Sequence, residues 1–189
     1  MNGLGIPWSL TFGNHDHPNQ KAQNIPLDSV YAQCENHAIG FHKRPDGGRD
    51  YCFRIDLRSE TAKPFASLFG FNCGDPNTGM IINASQTEWF KSQIASDKAK
   101  GIETPIVVMQ LIPTIEYKLL FEEKLATGRQ GEKVCYELDE GAIFEIYRSS
   151  GRVRGVFCGH DHVNDYFGDY KGVRLVYGRV TGLAGYGDW

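Results

Sequence analysis

The stretch Pro105-Ile106-Val107-Val108-Met109-Gln110-Leu111-Ile112 constrains the fold of this chain more than any other. It is rich in β-branched residues and carries no charge, so it reads as a central strand. Helical periods flank it. Upstream, Ser85 to Lys100 places Trp89, Phe90 and Ile94 at helical spacing, with Ser85 as the cap and Glu88 three residues on. Downstream, Glu140 to Arg148 reads as a helix packing Ile143, Phe144 and Tyr147, with Gly151 at its end. Val153 to Cys158, "VRGVFC", is the next strand. Strands that alternate with helices make this an α/β chain.

The remaining sequence fits one domain over residues 1–189. Residues 6–12 read as a buried strand and Leu27 to His37 as a short helix. Tyr51 to Leu57 alternates as a half-buried strand, and Pro64 to Phe71 is another. Pro18 to Pro26 is loop-like, and Lys43 to Asp50 is turn-rich. Near the end, two strands flank a Lys171-Gly172 turn. Trp8, Trp89 and Phe90 read as core, and Glu122-Glu123-Lys124 as a solvated helix face.

Charge narrows the partners. Twenty basic and 23 acidic residues leave a net charge of −3, which gives no footing for nucleic acid or an anionic membrane. No apolar run approaches the roughly 20 residues that span a bilayer. No secretory signal opens the chain, and the compartment and oligomeric state stay open. The five cysteines show no C-x-x-C spacing, which argues against a disulfide scaffold or a zinc knuckle. Cys158 reads as a core strand residue.

Two clusters carry the chemistry. One is Asn14-His15-Asp16-His17 after Gly13; the other is Gly159-His160-Asp161-His162, with Asn164 and Asp165 behind it. Each follows an apolar run and a glycine. In open α/β sheets ligands gather outside the carboxyl ends of strands, so both clusters aim into one cleft. Imidazole suits zinc, iron and nickel, while amide and carboxylate oxygens suit harder ions such as manganese. The mixture fits a metal hydrolase with two ions about 3.5–4 Å apart. His37 and His42 lack ligand-rich neighbours and read as ordinary loop histidines, and His17 as a surface residue.

"GNHD" and "GHDH" resemble the motifs of the calcineurin-like metallophosphoesterases. "VFCGHDHVNDYFG", "LVYGRVTGLAGYG", "QTEWFKSQI" and "IPTIEY" resemble the small purple-acid-phosphatase-like and Dcr2-like branch. The resemblance implies two β-sheets flanked by helices, two metal ions (manganese, iron or zinc) and a phosphorylated substrate attacked by a metal-bound hydroxide. Carried over residue by residue, Asn14 and His160 would bind the second metal and His162 the first. His15 would protonate the leaving alkoxide or stabilise the phosphoryl group, and Asp16 would orient it. The glycines of "TGLAGYG" would lie near the sheet end rather than in a phosphate loop. Arg179 has two readings, a substrate contact or a surface ion pair.

The chain departs from that pattern. The family's D-x-H and G-D motifs precede G-N-H-D, and the twelve residues before Gly13 contain no aspartate or histidine. The expected sandwich is therefore incomplete, with early strands missing. Leu111 stands where the family has the metal-binding histidine of H-I-P, and Gln110 should face the other side of the strand. Asn72 and Cys73 stand where the branch has Asp-Ser. Two readings follow: a metal-dependent phosphoesterase impaired in this chain alone, or a catalytically dead binding module on the same fold.

Overall fold

In the computed structural model of the chain, residues 5–16, 27–39, 52–60, 63–73, 80–139, 141–182 and 185–187 are described. The loops expected at Pro18–Pro26 and Lys43–Asp50, together with His17 and His42, lie outside them. The helices are α1 (Leu27–His37), α2 (Ala84–Ala99), α3 (Ile115–Glu122) and α4 (Ala142–Ser149). The strands are β1 (Cys52–Arg58), β2 (Pro64–Phe71), β3 (Ile106–Gln110), β4 (Thr127–Gln130), β5 (Val153–Cys158), β6 (Asn164–Tyr170) and β7 (Val173–Tyr177).

The α/β expectation is met. The strands form one mixed sheet in the order β1-β2-β3-β5-β7-β6-β4. The central strands β2, β3, β5 and β7 run parallel, and β1, β6 and β4 are antiparallel to their neighbours. Where the resemblance implies two sheets, the described strands form this single continuous one. Strand β3 takes the centre because its β-branched residues are buried in alternation, Ile106 and Val108 fully so. The β6–β7 hairpin closes on Lys171 and Gly172, at φ 47° and 86°. That pair of left-handed residues is the two-residue turn whose twist matches the strands it joins.

Helices α2, α3 and α4 cover one face through aromatic contacts. Phe90 of α2 meets Phe69 and Phe71 of β2 edge-on, at centroid distances of 5.0 and 5.8 Å. Tyr147 of α4 meets Phe90 at 5.5 Å, and Tyr117 of α3 meets Tyr177 of β7 at 5.4 Å. The expected core residues Ile143, Phe144 and Tyr147 are all buried, while Trp8 and Trp89 are partly buried. On the opposite face Met109, Phe157, Val176 and Phe167 lie in register across β3, β5, β7 and β6. Three of them, Met109, Phe157 and Phe167, are exposed. Among the described residues no helix is long and apolar enough to cross a membrane. None of the five cysteines is in a disulfide.

Three local expectations are corrected. The cap of α2 is Asn83, not Ser85: its side chain accepts the Gln86 amide at 3.0 Å, and Gln86 returns the bond to the Asn83 amide at 2.9 Å. Residues 6–12 are extended but join no ladder. Their backbone pairs locally, Ile39 N–H to the Trp8 carbonyl and Cys73 N–H to the Phe12 carbonyl, while Phe12 N–H bonds the Asn72 side chain. Strand β4 was not anticipated, and of the helix face expected at Glu122-Glu123-Lys124 only Glu122 lies in a helix, the end of α3, with Glu123 as its cap and Lys124 at φ 59°. The cap residue of α3, Thr114, makes no side-chain capping bond. The β4 sequence "TGRQ" has no apolar alternation and is held by its ladder with β6.

The aromatic cluster sets a stability expectation. Phe90→Ala should cost about 3–5 kcal/mol, the range for an aromatic removed from a closed core. Urea unfolding followed by circular dichroism measures it.

Candidate functional site

The parallel strands β3, β5 and β7 end at one level, and a cleft of about 330 Å³ opens there. Leu111 follows β3, Gly159 follows β5 and Gly178 follows β7, and all three line it. Asn14, His15 and Asp16 enter from the other side as a single 3-10 turn. The structure thus brings all five expected site residues, Asn14, His15, Asp16, His160 and His162, to one cleft. Arg179 and Gly182 line it as well.

The first cluster is fixed by its own backbone. Asp16 accepts the Gly13 amide at 2.8 Å, and its own amide bonds the Gly13 carbonyl at 3.1 Å. The turn is tied to the core through Phe12, whose amide bonds Asn72 Oδ1 at 2.7 Å. Asn72 is in turn held by the buried Gln86, whose side chain donates to the Asn72 carbonyl at 2.6 Å. His15 and Asp16 are exposed, while Oδ1 of Asn14 is buried and has no hydrogen-bond partner. An amide oxygen left this way is an acceptor without a donor to serve it.

The second cluster is built on a buried carboxylate. Asp161 is 3% exposed and accepts the Tyr177 hydroxyl and the Cys135 amide on the same oxygen. Burial above all, with Cys158 and Asp161 nearby, raises the Tyr177 phenol far above its usual pKa, so it stays a donor. This grip holds His160 at φ 85°, a left-handed backbone that a side chain resists. The Nε2 of His160 lies 3.3 Å from the Glu137 carboxylate.

His162 is oriented through its other nitrogen. Its Nδ1 is 2.8 Å from the Tyr186 carbonyl, which can only accept, so Nδ1 is the donor and the ring is held by that nitrogen. The Tyr186 ring stacks on the imidazole at 4.0 Å and 13°. The Tyr186 hydroxyl donates to Glu132 at 2.9 Å, and the second oxygen of Glu132 takes the Val163 amide at 3.0 Å. A Cβ at Gly185 would stand 2.9 Å from the His162 ring, so this glycine allows the close approach. Glu132 and Tyr186 were not singled out from sequence, where no local motif marks them.

The remaining question is whether these residues suit the two metal ions implied by the resemblance. Among the described residues no group of three or more His, Cys, Asp or Glu could hold an ion. Leu111 is packed between the two motif glycines. A Cβ on Gly13 would run into its Cδ2, and a Cβ on Gly159 would lie 3.4 Å from its Cδ1. Gln110 turns away, as expected: it is buried, takes the Tyr147 hydroxyl and donates to the Ile112 carbonyl. One amide oxygen, two imidazoles and an apolar wedge do not fit a dinuclear centre.

No protein-family model matches the chain. It is 27% identical over 207 residues to "probable inactive purple acid phosphatase 28" of Arabidopsis thaliana, covering 97% of this chain and 51% of that protein. It is 26% identical over 217 residues to "probable inactive purple acid phosphatase 14" of the same plant, covering 97% and 52%. With phosphatase DCR2 of Saccharomyces cerevisiae it shares 27% over 179 residues, 85% of this chain and 30% of that one. The chain spans about half the length of the two plant relatives. A solved dimetal phosphatase from Danio rerio superposes with a TM-score of 0.59 at 14% identity, over 93% of this chain and 62% of that one. The chain is related to the calcineurin-like metallophosphoesterases. In this chain the GHDH motif follows the parallel strand β5, whereas the GNHD motif follows an extended segment that joins no ladder.

Removing the Asp161 carboxylate should loosen this end of the sheet. Asp161→Ala leaves the Tyr177 hydroxyl and Cys135 amide without their acceptor, at about 1–3 kcal/mol for the buried hydroxyl. Denaturant unfolding gives the loss. Imidazole NMR should show His160 shifting while His15, on a separate turn, does not.

Proposed function

We propose that this chain is a metallophosphoesterase-type protein whose cleft takes phosphomonoesters and whose own hydrolysis of them is impaired. The observation that carries this reading is the meeting of Asn14, His15 and Asp16 with His160 and His162 in one cleft. The phosphatase relatives support a phosphorylated substrate, and the dimetal neighbour implies two metal ions in the family. In this reading Asn14, His160 and His162 are what the chain retains of a metal-binding donor set. His15, exposed at the mouth, is placed to give a proton to a leaving alkoxide. Asp16 backs the same turn through Gly13.

Impairment follows from the donor count. A metal position of this kind normally has about three protein ligands. Asn14 and His160 make two at one position, and His162 stands alone at the other. A second reading, a phosphate-binding module without catalysis, has the Leu111 wedge in its favour.

Turnover of p-nitrophenyl phosphate separates the two. Under the first reading the 189-residue chain hydrolyses it slowly in the presence of manganese, and His15→Ala removes that rate. General acid catalysis sets the size of the effect, about 100-fold or more. Orthophosphate binding without any manganese-dependent turnover would favour the module instead.

A further inference from the structure

Leu111 occupies the point where the two motifs converge. Its backbone carbonyl accepts the Gly159 amide at 3.0 Å, which pins the residue to the end of β5. Its side chain then projects over Gly13, which could not carry a Cβ without running into it, and rests against Gly159 at contact distance. Asn14, whose Oδ1 is buried without a partner, lines the same cleft. A polar atom without a partner and two methyl groups therefore share the place where the motifs meet. An apolar core would not leave an amide oxygen unsatisfied at a cost of about 1–3 kcal/mol unless geometry compelled it. Here the geometry is the GNHD turn, which is fixed independently by Asp16 and Asn72.

We propose that Leu111 is a plug: it fills the space between the two motifs where a third donor would stand, and so keeps Asn14 and His160, whose Nε2 now lies against Glu137, from forming a single-metal site. The inference rests on reading the cleft as a phosphoesterase site. A histidine has nearly the volume of leucine and would supply a third donor from the same Cβ. Asn14, His160 and the introduced imidazole then give the three protein ligands that suit zinc or cobalt. The supporting groups for such a site are already present. His160 is set by the Asp161–Tyr177 grip, and Asn14 by the 3-10 turn.

The test is metal binding, independent of turnover. Zinc is titrated calorimetrically into metal-free wild type, Leu111→His, Leu111→Ala and the Leu111→His/His160→Ala double variant. Cobalt(II) absorption reports coordination geometry. Leu111→His should bind one ion roughly 100-fold tighter than wild type, the gain from completing a three-ligand set. Its cobalt spectrum should show the intense visible bands of a tetrahedral site. Leu111→Ala, which makes room without a donor, and the double variant should stay as weak as wild type. Leu111→Cys offers a smaller donor if the histidine variant fails to fold. The proposal is overturned if wild type already binds one zinc tightly and loses it with His160→Ala. It is equally overturned if folded Leu111→His and Leu111→Cys bind no better than wild type. Because no substrate is used, failure of the phosphoesterase reading in the p-nitrophenyl phosphate assay leaves this outcome separately readable.

Discussion

The buried oxygen of Asp161 that takes both the Tyr177 hydroxyl and the Cys135 amide joins the core of this protein to its cleft. Tyr177 is the last residue of β7 and packs on Tyr117 of α3 and Tyr166 of β6. Tyr117 in turn donates to the Val156 carbonyl in β5, and Tyr166 to the Tyr117 carbonyl. Displacing the carboxylate would therefore disturb helix, hairpin and central strand together. Burial keeps the three phenols protonated, so each remains a donor at any ordinary pH. A rigid base of this kind permits His160 to hold a left-handed backbone that would relax in a looser loop.

The other half of the cleft has no comparable sheet beneath it. Residues 6–12 belong to no strand, so the GNHD turn depends on discrete bonds: Gln86 to Asn72, Asn72 to Phe12, and Asp16 back to Gly13. Gln86 is the pivot. It completes the capping box of α2 and reaches into the buried Asn72 carbonyl with the same side chain. The start of a helix and the position of a ligand turn are thereby the same constraint. The Asn72 departure from the Asp-Ser pattern matters in this light, because its amide oxygen still accepts what an aspartate would. Cys73 accepts the Ile112 amide at 3.1 Å, a bond open to a serine hydroxyl as well.

The sequence made the sheet legible where one residue pattern sufficed. Strand β2 and helix α1 lie at the expected bounds because apolar periodicity and their flanking residues coincide. The hairpin was readable from Lys171-Gly172, since few pairs tolerate two left-handed residues. Elements defined by distant contacts were readable in part or not at all. Strand β4 exists because Thr127–Gln130 pair with Asn164–Phe167, and α3 because Tyr117 and Leu120 are buried beneath the sheet. Ser85 has the right chemistry for a cap, but Asn83 has the reciprocal partner in Gln86. The site divides in the same way. Its two ligand motifs are contiguous in sequence and were visible. The residues that orient His162, Glu132 and Tyr186, meet it only through the fold.

Gly13 and Gly159 serve different ends that meet at Leu111. A glycine at the end of an apolar strand usually serves a sharp exit, and neither of these two has a positive φ. At Gly13 the missing Cβ lets the turn close on the Leu111 side chain, while Gly159, at the end of β5, meets the same side chain at ordinary contact distance. An ion and its ligands need such a space, and so does an isobutyl group. On the plug reading, the side chain at position 111 decides which of them is held. That is why the fold can keep the outline of a dimetal phosphatase while its donor set falls short. The leucine packs on Gly13 and Gly159 and still leaves the cleft of about 330 Å³ open beside it. The unpartnered oxygen of Asn14 records the chemistry that the packing displaced.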